Sequence, residues 1–221
     1  MNDKDTVGKF FFVLDTNIVL KKIFYDMNIN GRVIWNHEKS VVLAKEEIDK
    51  ITNSGDILII TPTVVKEVAK LWKAVFDHTV YRKHFEDVQY SDVKHFIKKR
   101  MSYLLEKYSY SKYFPNLEIS ERNTREIKSV YGLVEDKVKL ITDIKLRGLP
   151  PAVRESKLSH REKGLMPEES DIAILAECMY MRQNLPEGFV GVKLFTCDKD
   201  FTYFPDEIRT FLFVEIYTLN I

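Results

Sequence analysis

Apolar positions fall into two periodicities that alternate along this chain. Residues 10–14, Phe-Phe-Phe-Val-Leu, form an unbroken apolar run after a polar lead-in, the pattern of a strand buried on both faces in a parallel sheet. Residues 57–60 repeat it, and 192–197 and 211–219 predict the last two strands. Between these runs the spacing becomes helical. Residues 16–25 predict a first helix, 26–36, with Asn28, Asn30 and Gly31, a loop, and 41–51 a helix stopped by Thr52-Asn53-Ser54-Gly55. Thr61-Pro62 supplies a cap and a first-turn proline to a helix whose apolar face is Val64, Val65, Val68, Leu71, Trp72, Val75 and Phe76. Ser170 is expected to cap another, with Ile172, Leu175, Ala176 and Met179 on one side.

Residues 78–148 contain no comparable strand pattern and read as a helical insertion broken at Pro115-Asn116, its second helix starting near Ser120 and running to Arg147 before Gly148. Residues 149–169 read as a polar, basic loop. Strands alternating with helices predict a three-layer α/β/α fold with a mainly parallel central sheet, in one domain spanning 1–221. No internal repeat interrupts this reading.

Composition narrows the classes. No apolar stretch reaches the length of a membrane span, and the first residues lack a secretion signal, so the expectation is a soluble cytoplasmic protein without membrane contact. Cys178 and Cys197 lie in apolar segments and read as free buried thiols rather than a disulfide or zinc pair. With no G-x-x-x-x-G-K-[ST] run, an ATPase or dinucleotide enzyme is disfavoured.

The informative residues are acids at element boundaries. Asp15 closes the first strand, Glu67 lies on the helix after the second, Asp171 opens a helix, and Asp198 follows the strand over 192–197. Taken singly, each has a plainer reading: a polar strand end, a lysine-capped edge carboxylate, or a first-turn acid answering the helix dipole. Taken together they predict one site, because ligands gather at the carboxyl ends of strands in open α/β sheets. Gathered carboxylates repel one another unless a cation neutralises them, and an all-oxygen set suits Mg2+ or Mn2+ rather than zinc.

The segments Phe12-Val13-Leu14-Asp15-Thr16-Asn17, Thr61-Pro62-Thr63-Val64-Val65-Lys66-Glu67, Ser170-Asp171-Ile172-Ala173 and Thr196-Cys197-Asp198-Lys199-Asp200 together resemble the PIN domain, a metal-dependent nuclease fold. The resemblance covers roughly the first 76 and last 55 residues. It implies Asp15, Glu67, Asp171 and Asp198 as catalytic metal ligands, Asp200 as an additional carboxylate, and Asn17 and Thr196 as residues that orient the ligands by hydrogen bonds. The implied reaction is Mg2+- or Mn2+-dependent endonucleolytic hydrolysis of RNA. The resemblance also leaves a homodimer and an inhibitory protein partner open. The departure is the roughly hundred residues between Glu67 and Asp171, more than a minimal PIN domain carries.

For substrate, Arg154, Lys157, Arg161 and Lys163 stand on the loop leading into Asp171, where cations can hold a phosphate that the acids repel. His160 on that loop reads as solvated rather than catalytic. The basic, tyrosine-rich stretch 81–113 could hold a strand by phosphate contacts and stacking, but reads better as a solvated helical face with tyrosines packed inward. Three rivals stay open. A phosphatase of the haloacid-dehalogenase type also ends its first strand in Asp, although Asn17 stands where its second acid is expected. The others are a DNA-cleaving PIN-like nuclease and a non-catalytic binding module of the same fold.

Overall fold

A computed structural model describes residues 8–29, 32–33, 38–78, 88–134 and 167–220. Four parallel strands form the central sheet: β1 (Lys9–Leu14), β4 (Ile57–Ile59), β5 (Phe189–Thr196) and β6 (Glu215–Thr218), in the order β4-β1-β5-β6. A two-stranded hairpin, β2 (Asn28–Ile29) with β3 (Arg32–Val33), lies within the expected loop over 26–36. The helices are α1 (Thr16–Tyr25), α2 (Lys39–Asn53), α3 (Pro62–His78), α4 (Tyr90–Lys107), α5 (Glu121–Leu133), α6 (Glu169–Gln183), α7 (Lys199–Thr202) and α8 (Pro205–Glu207). The expected three-layer α/β/α arrangement with a parallel sheet is what the chain forms.

The reason is visible in β1. Its side chains alternate between faces, yet Phe11, Phe12, Val13 and Leu14 are all buried, so both faces must be covered. On one face Phe12 meets Tyr217 edge-on at 5.3 Å, and the Tyr217 hydroxyl donates to Glu47 of α2. On the other, Phe11 contacts Tyr113 at 5.2 Å and Phe114 at 5.0 Å and stacks on Phe189 at 3.9 Å. The segment between α4 and α5 therefore completes the core, and the insertion is integrated with the sheet. Phe11→Ala should cost about 3–5 kcal/mol of stability, the range for emptying a large buried aromatic site, and chemical denaturation of the variant measures it.

Three element boundaries differ from expectation. The last strand is confined to Glu215–Thr218, because Ile208–Leu212 forms a π-helical turn that ends with Phe213 in the left-handed region at φ 56. The residue that precedes α6 is Glu168 rather than Ser170, which falls inside the helix. Ser120 does cap α5, accepting from the Asn123 N–H at 3.1 Å. That helix ends at Leu133 with Val134 as its C-cap, short of the Arg147 expected; residues 135–147 lie outside the described residues.

The topology matters for function at one point. The connection leaving β1 leads towards β4 on one side, and that leaving β5 leads to β6 on the other. Such a reversal opens a crevice beyond the carboxyl ends of the two strands. Asp15 follows β1 and Asp198 follows β5, so the two acids flank it.

Candidate active site

Asp15 caps α1 from the end of β1. Its Oδ1 accepts from the Thr16 N–H at 2.6 Å, and its Oδ2 accepts from the Thr196 hydroxyl at 2.5 Å and from Asn17 Nδ2 at 2.9 Å. The strand register explains the pairing. Leu14 lies opposite Phe195, and the Asp15 N–H donates to the Phe195 carbonyl at 3.0 Å, so Thr196 falls beside Asp15 from the neighbouring strand. Thr196 also accepts from the Asp198 N–H at 2.9 Å, and Asp198 accepts from the Asp200 N–H at 2.9 Å as it caps α7. Asn17 and Thr196, expected to orient the acids, both bond to Asp15.

The remaining acids arrive on helices. Glu67 lies one turn into α3, and its Oε2 accepts from the Thr16 hydroxyl at 2.5 Å. Among the described residues no lysine caps Glu67; a threonine of α1 takes that role. Asp171 sits in the first turn of α6, where its Oδ2 accepts from the Glu168 N–H at 3.2 Å. It is thus a helix-capping acid, and it also shares a field with the other carboxylates. The Asp171 carboxyl is pushed up to about 8 by burial first, then by the charges of Asp198, Asp15, Asp200 and Glu67. Asp15 is raised to about 7, again chiefly by burial, with Asp198 and Glu67 adding repulsion and the Thr196 hydroxyl opposing it. All five expected acids therefore couple electrostatically across the crevice.

That coupling acts over a distance: among the described residues, no three His, Cys, Asp or Glu side chains gather into a ready metal cage. The donor chemistry nevertheless fits a hard divalent ion. Every expected ligand is a carboxylate, and the adjacent Asn17 Oδ1 is a further oxygen, buried with no hydrogen-bond partner. Both thiols are free; Cys178 is fully buried as expected, whereas Cys197 is half-buried, and burial pushes the first well up and the second to about 11.

Residues beyond the motif segments join the site. The Tyr131 hydroxyl, on α5, donates to the Asp200 carbonyl at 2.7 Å, and its ring packs edge-on against Phe204 at 5.4 Å. Burial, then the charges of Asp171, Asp200 and Asp198, hold its phenol protonated. Thr16 links Asp15 to Glu67, although its place beside Asp15 was its only signal. Glu177 is a lone acid in the otherwise apolar stretch 172–179, and it is buried.

The proposed phosphate-holding residues Arg154, Lys157, Arg161 and Lys163, with His160, lie outside the described residues. Within 81–113, residues 81–87 do as well. Of the remainder, Tyr108 is buried and Tyr90, Tyr110 and Tyr113 pack on the core, whereas Tyr103 is exposed beneath Arg100, which binds Asp26 through Nε at 2.8 Å and Nη2 at 2.5 Å. A cavity of about 240 Å³ lined by Lys22, Asp49, Arg100, Tyr103 and Lys107 lies at the C-terminal ends of α1, α2 and α4. Cations there answer the helix carbonyl ends. Among the described residues, no helix is long and apolar enough to cross a membrane.

Comparison with protein-family models, with curated proteins and with solved structures gave no match.

Proposed function

We propose that the protein is a Mg2+- or Mn2+-dependent nuclease of the PIN type, acting on RNA as an endonuclease. The observation that carries this reading is the coupling of five carboxylates from four segments of chain at the β1/β5 crevice, strong enough with burial to hold Asp15 near 7 and Asp171 near 8. A fold that assembles such repulsion gains from a cation there. Asp15, Glu67, Asp171 and Asp198 would hold the ion, with Asp200 beside them.

When bound, a divalent ion of this kind lowers the pKa of water and polarises a phosphoryl oxygen. The chain's own residues supply orientation. Thr196 and Asn17 fix the rotation of Asp15, with the Thr196 hydroxyl favouring its charged form, Thr16 turns Glu67 towards the same crevice, and Tyr131 holds the backbone that carries Asp200. Loss of an orienting partner of this type lowers metal affinity or activity by about 10–100-fold. The basic loop before Asp171 would neutralise the phosphate that these acids repel. Cytoplasmic location, a homodimer and an inhibitory protein partner belong to the same reading.

The test is cleavage of labelled single-stranded RNA, duplex RNA and single-stranded DNA with Mg2+, Mn2+ or chelator. Metal-dependent RNA cleavage that vanishes in Asp198→Asn is expected. Cleavage of DNA alone would move the assignment to a DNA nuclease. Hydrolysis of a small phosphomonoester without strand cleavage would favour the phosphatase, and tight metal-independent RNA binding without turnover the binding module.

A further inference from the structure

Helix α3 is held at its start from a distance. Pro62 has no N–H, so Thr63 carries the first backbone donor of the helix that needs a partner. A threonine just before a helix ordinarily answers such a donor from its own side chain, and Thr61 is placed to do so. It does not. Oε1 of Glu177, in the middle of α6 and 114 residues away, accepts the Thr63 N–H at 3.1 Å and the Thr63 hydroxyl at 2.8 Å. Glu177 is 2% exposed. The Thr61 hydroxyl lies beside its carboxylate, favouring the charged form.

We infer that Glu177 is a positioning residue for the acid site: its grip on Thr63 fixes α3 against α6 so that Glu67, one turn beyond Thr63, meets Thr16 at the crevice. The inference rests on the nuclease reading of those acids. Thr63 and Glu67 are four residues apart and share one helix face, so the rotation that satisfies one directs the other. Helix α6 also carries Asp171, and the grip therefore couples the two helices that deliver Glu67 and Asp171. A cap from Thr61 would satisfy the same donor while leaving α3 free to turn or slide. Burying a carboxylate is costly, and here burial raises its pKa despite the two hydrogen bonds from Thr63, the nearby Thr61 hydroxyl and the Lys66 charge. Apolar residues of similar size in such a place are often as stable or more so, which makes orientation the better account of the acid.

The test compares the parent with Glu177→Met/Thr63→Val, which removes the carboxylate and the Thr63 hydroxyl and leaves the residue-63 N–H to the Thr61 hydroxyl, and with Glu177→Gln, which keeps the accepting oxygen. Amide exchange at residues 63–67 in the metal-free protein reads the grip directly. A Mn2+ titration followed by thermal shift reads its consequence for the site. The Met/Val variant should keep the parent's melting temperature within a few degrees, exchange about tenfold faster at 63–67, and need about tenfold more Mn2+ for half its shift, the effect of losing a partner that orients a ligand. The Gln variant should stay within about threefold of the parent on both readouts, well under the 1.4 kcal/mol that a tenfold change represents. If the Met/Val variant does not fold, Thr63→Val alone should give an intermediate change in both. Unchanged exchange, or an unchanged Mn2+ requirement beside a lowered melting temperature, overturns the inference. A parent with no Mn2+ response defeats the nuclease reading, and with it the role at the site, whereas the grip itself is still decided by exchange.

Discussion

Asp171→Asn should abolish cleavage and, at pH 8 without metal, make the protein more stable than its parent. The asparagine Oδ1 still accepts from the Glu168 N–H, so the start of α6 keeps its cap. What disappears is a charge held among Asp198, Asp15, Asp200 and Glu67. A tenfold change in the proton affinity of an acid corresponds to about 1.4 kcal/mol, and because the acids share their repulsion, relief of about 1–3 kcal/mol is expected. A domain of this size gains about 2–4 °C per kcal/mol, readable by calorimetry. Asp15→Asn should behave differently. Asp15 accepts three hydrogen bonds through two oxygens, and an amide nitrogen in place of Oδ2 would face the Asn17 amide and the Thr196 hydroxyl. Loss of those acceptors offsets the relief. An Asp171→Asn protein less stable than its parent at pH 8 would show that Asp171 serves the helix alone.

The second large effect is a fall in metal-free stability as pH rises. Folded-state values of about 7 for Asp15 and about 8 for Asp171 lie above the ordinary 3.8. Below pH 3.8 both groups are protonated whether the chain is folded or not, and they impose no penalty. Between 3.8 and 7–8 the folded protein holds protons that the unfolded chain has released, so stability drops by at most about 1.4 kcal/mol per pH unit per group. Above pH 8 the loss is complete. Urea unfolding at about pH 5, 6.5 and 8 in chelator should therefore give a declining midpoint. Mn2+ at pH 8 should restore it, by about 2.7 kcal/mol at a hundred times its dissociation constant. A midpoint that climbs with pH in chelator would mean that the crevice acids are paired in some other way.

The strands were legible because parallel sheets demand continuous apolar runs, and residues 10–14 and 57–60 have no other use for theirs. The run over 211–219 misled for a physical reason. Phe211 and Phe213 are apolar but exposed, serving a π-helical turn and a left-handed residue rather than a strand. Asp15, Asp171 and Asp198 stood out by their places at element ends, Glu67 by its helix directly after a strand, and Asp200 entered through the resemblance. Their supports did not, since Glu177 meets Thr63 across 114 residues and Tyr131 reaches a backbone carbonyl, and neither contact leaves a local pattern. Thr61 shows the converse: a residue with the signature of a local cap whose donor was claimed from elsewhere.

The hydrogen bond between Thr196 and Asp15 spans 181 positions. On a ribosome, β1 emerges long before its partner β5, so the central strand waits with one edge unpaired while the intervening residues are made. Ordering it needs long-range closure, which slows folding relative to local contacts. A nascent chain lacking Thr196 and Asp198 has an incomplete acid crevice, so on the nuclease reading activity waits until synthesis has carried β5 and Asp198 clear of the ribosome.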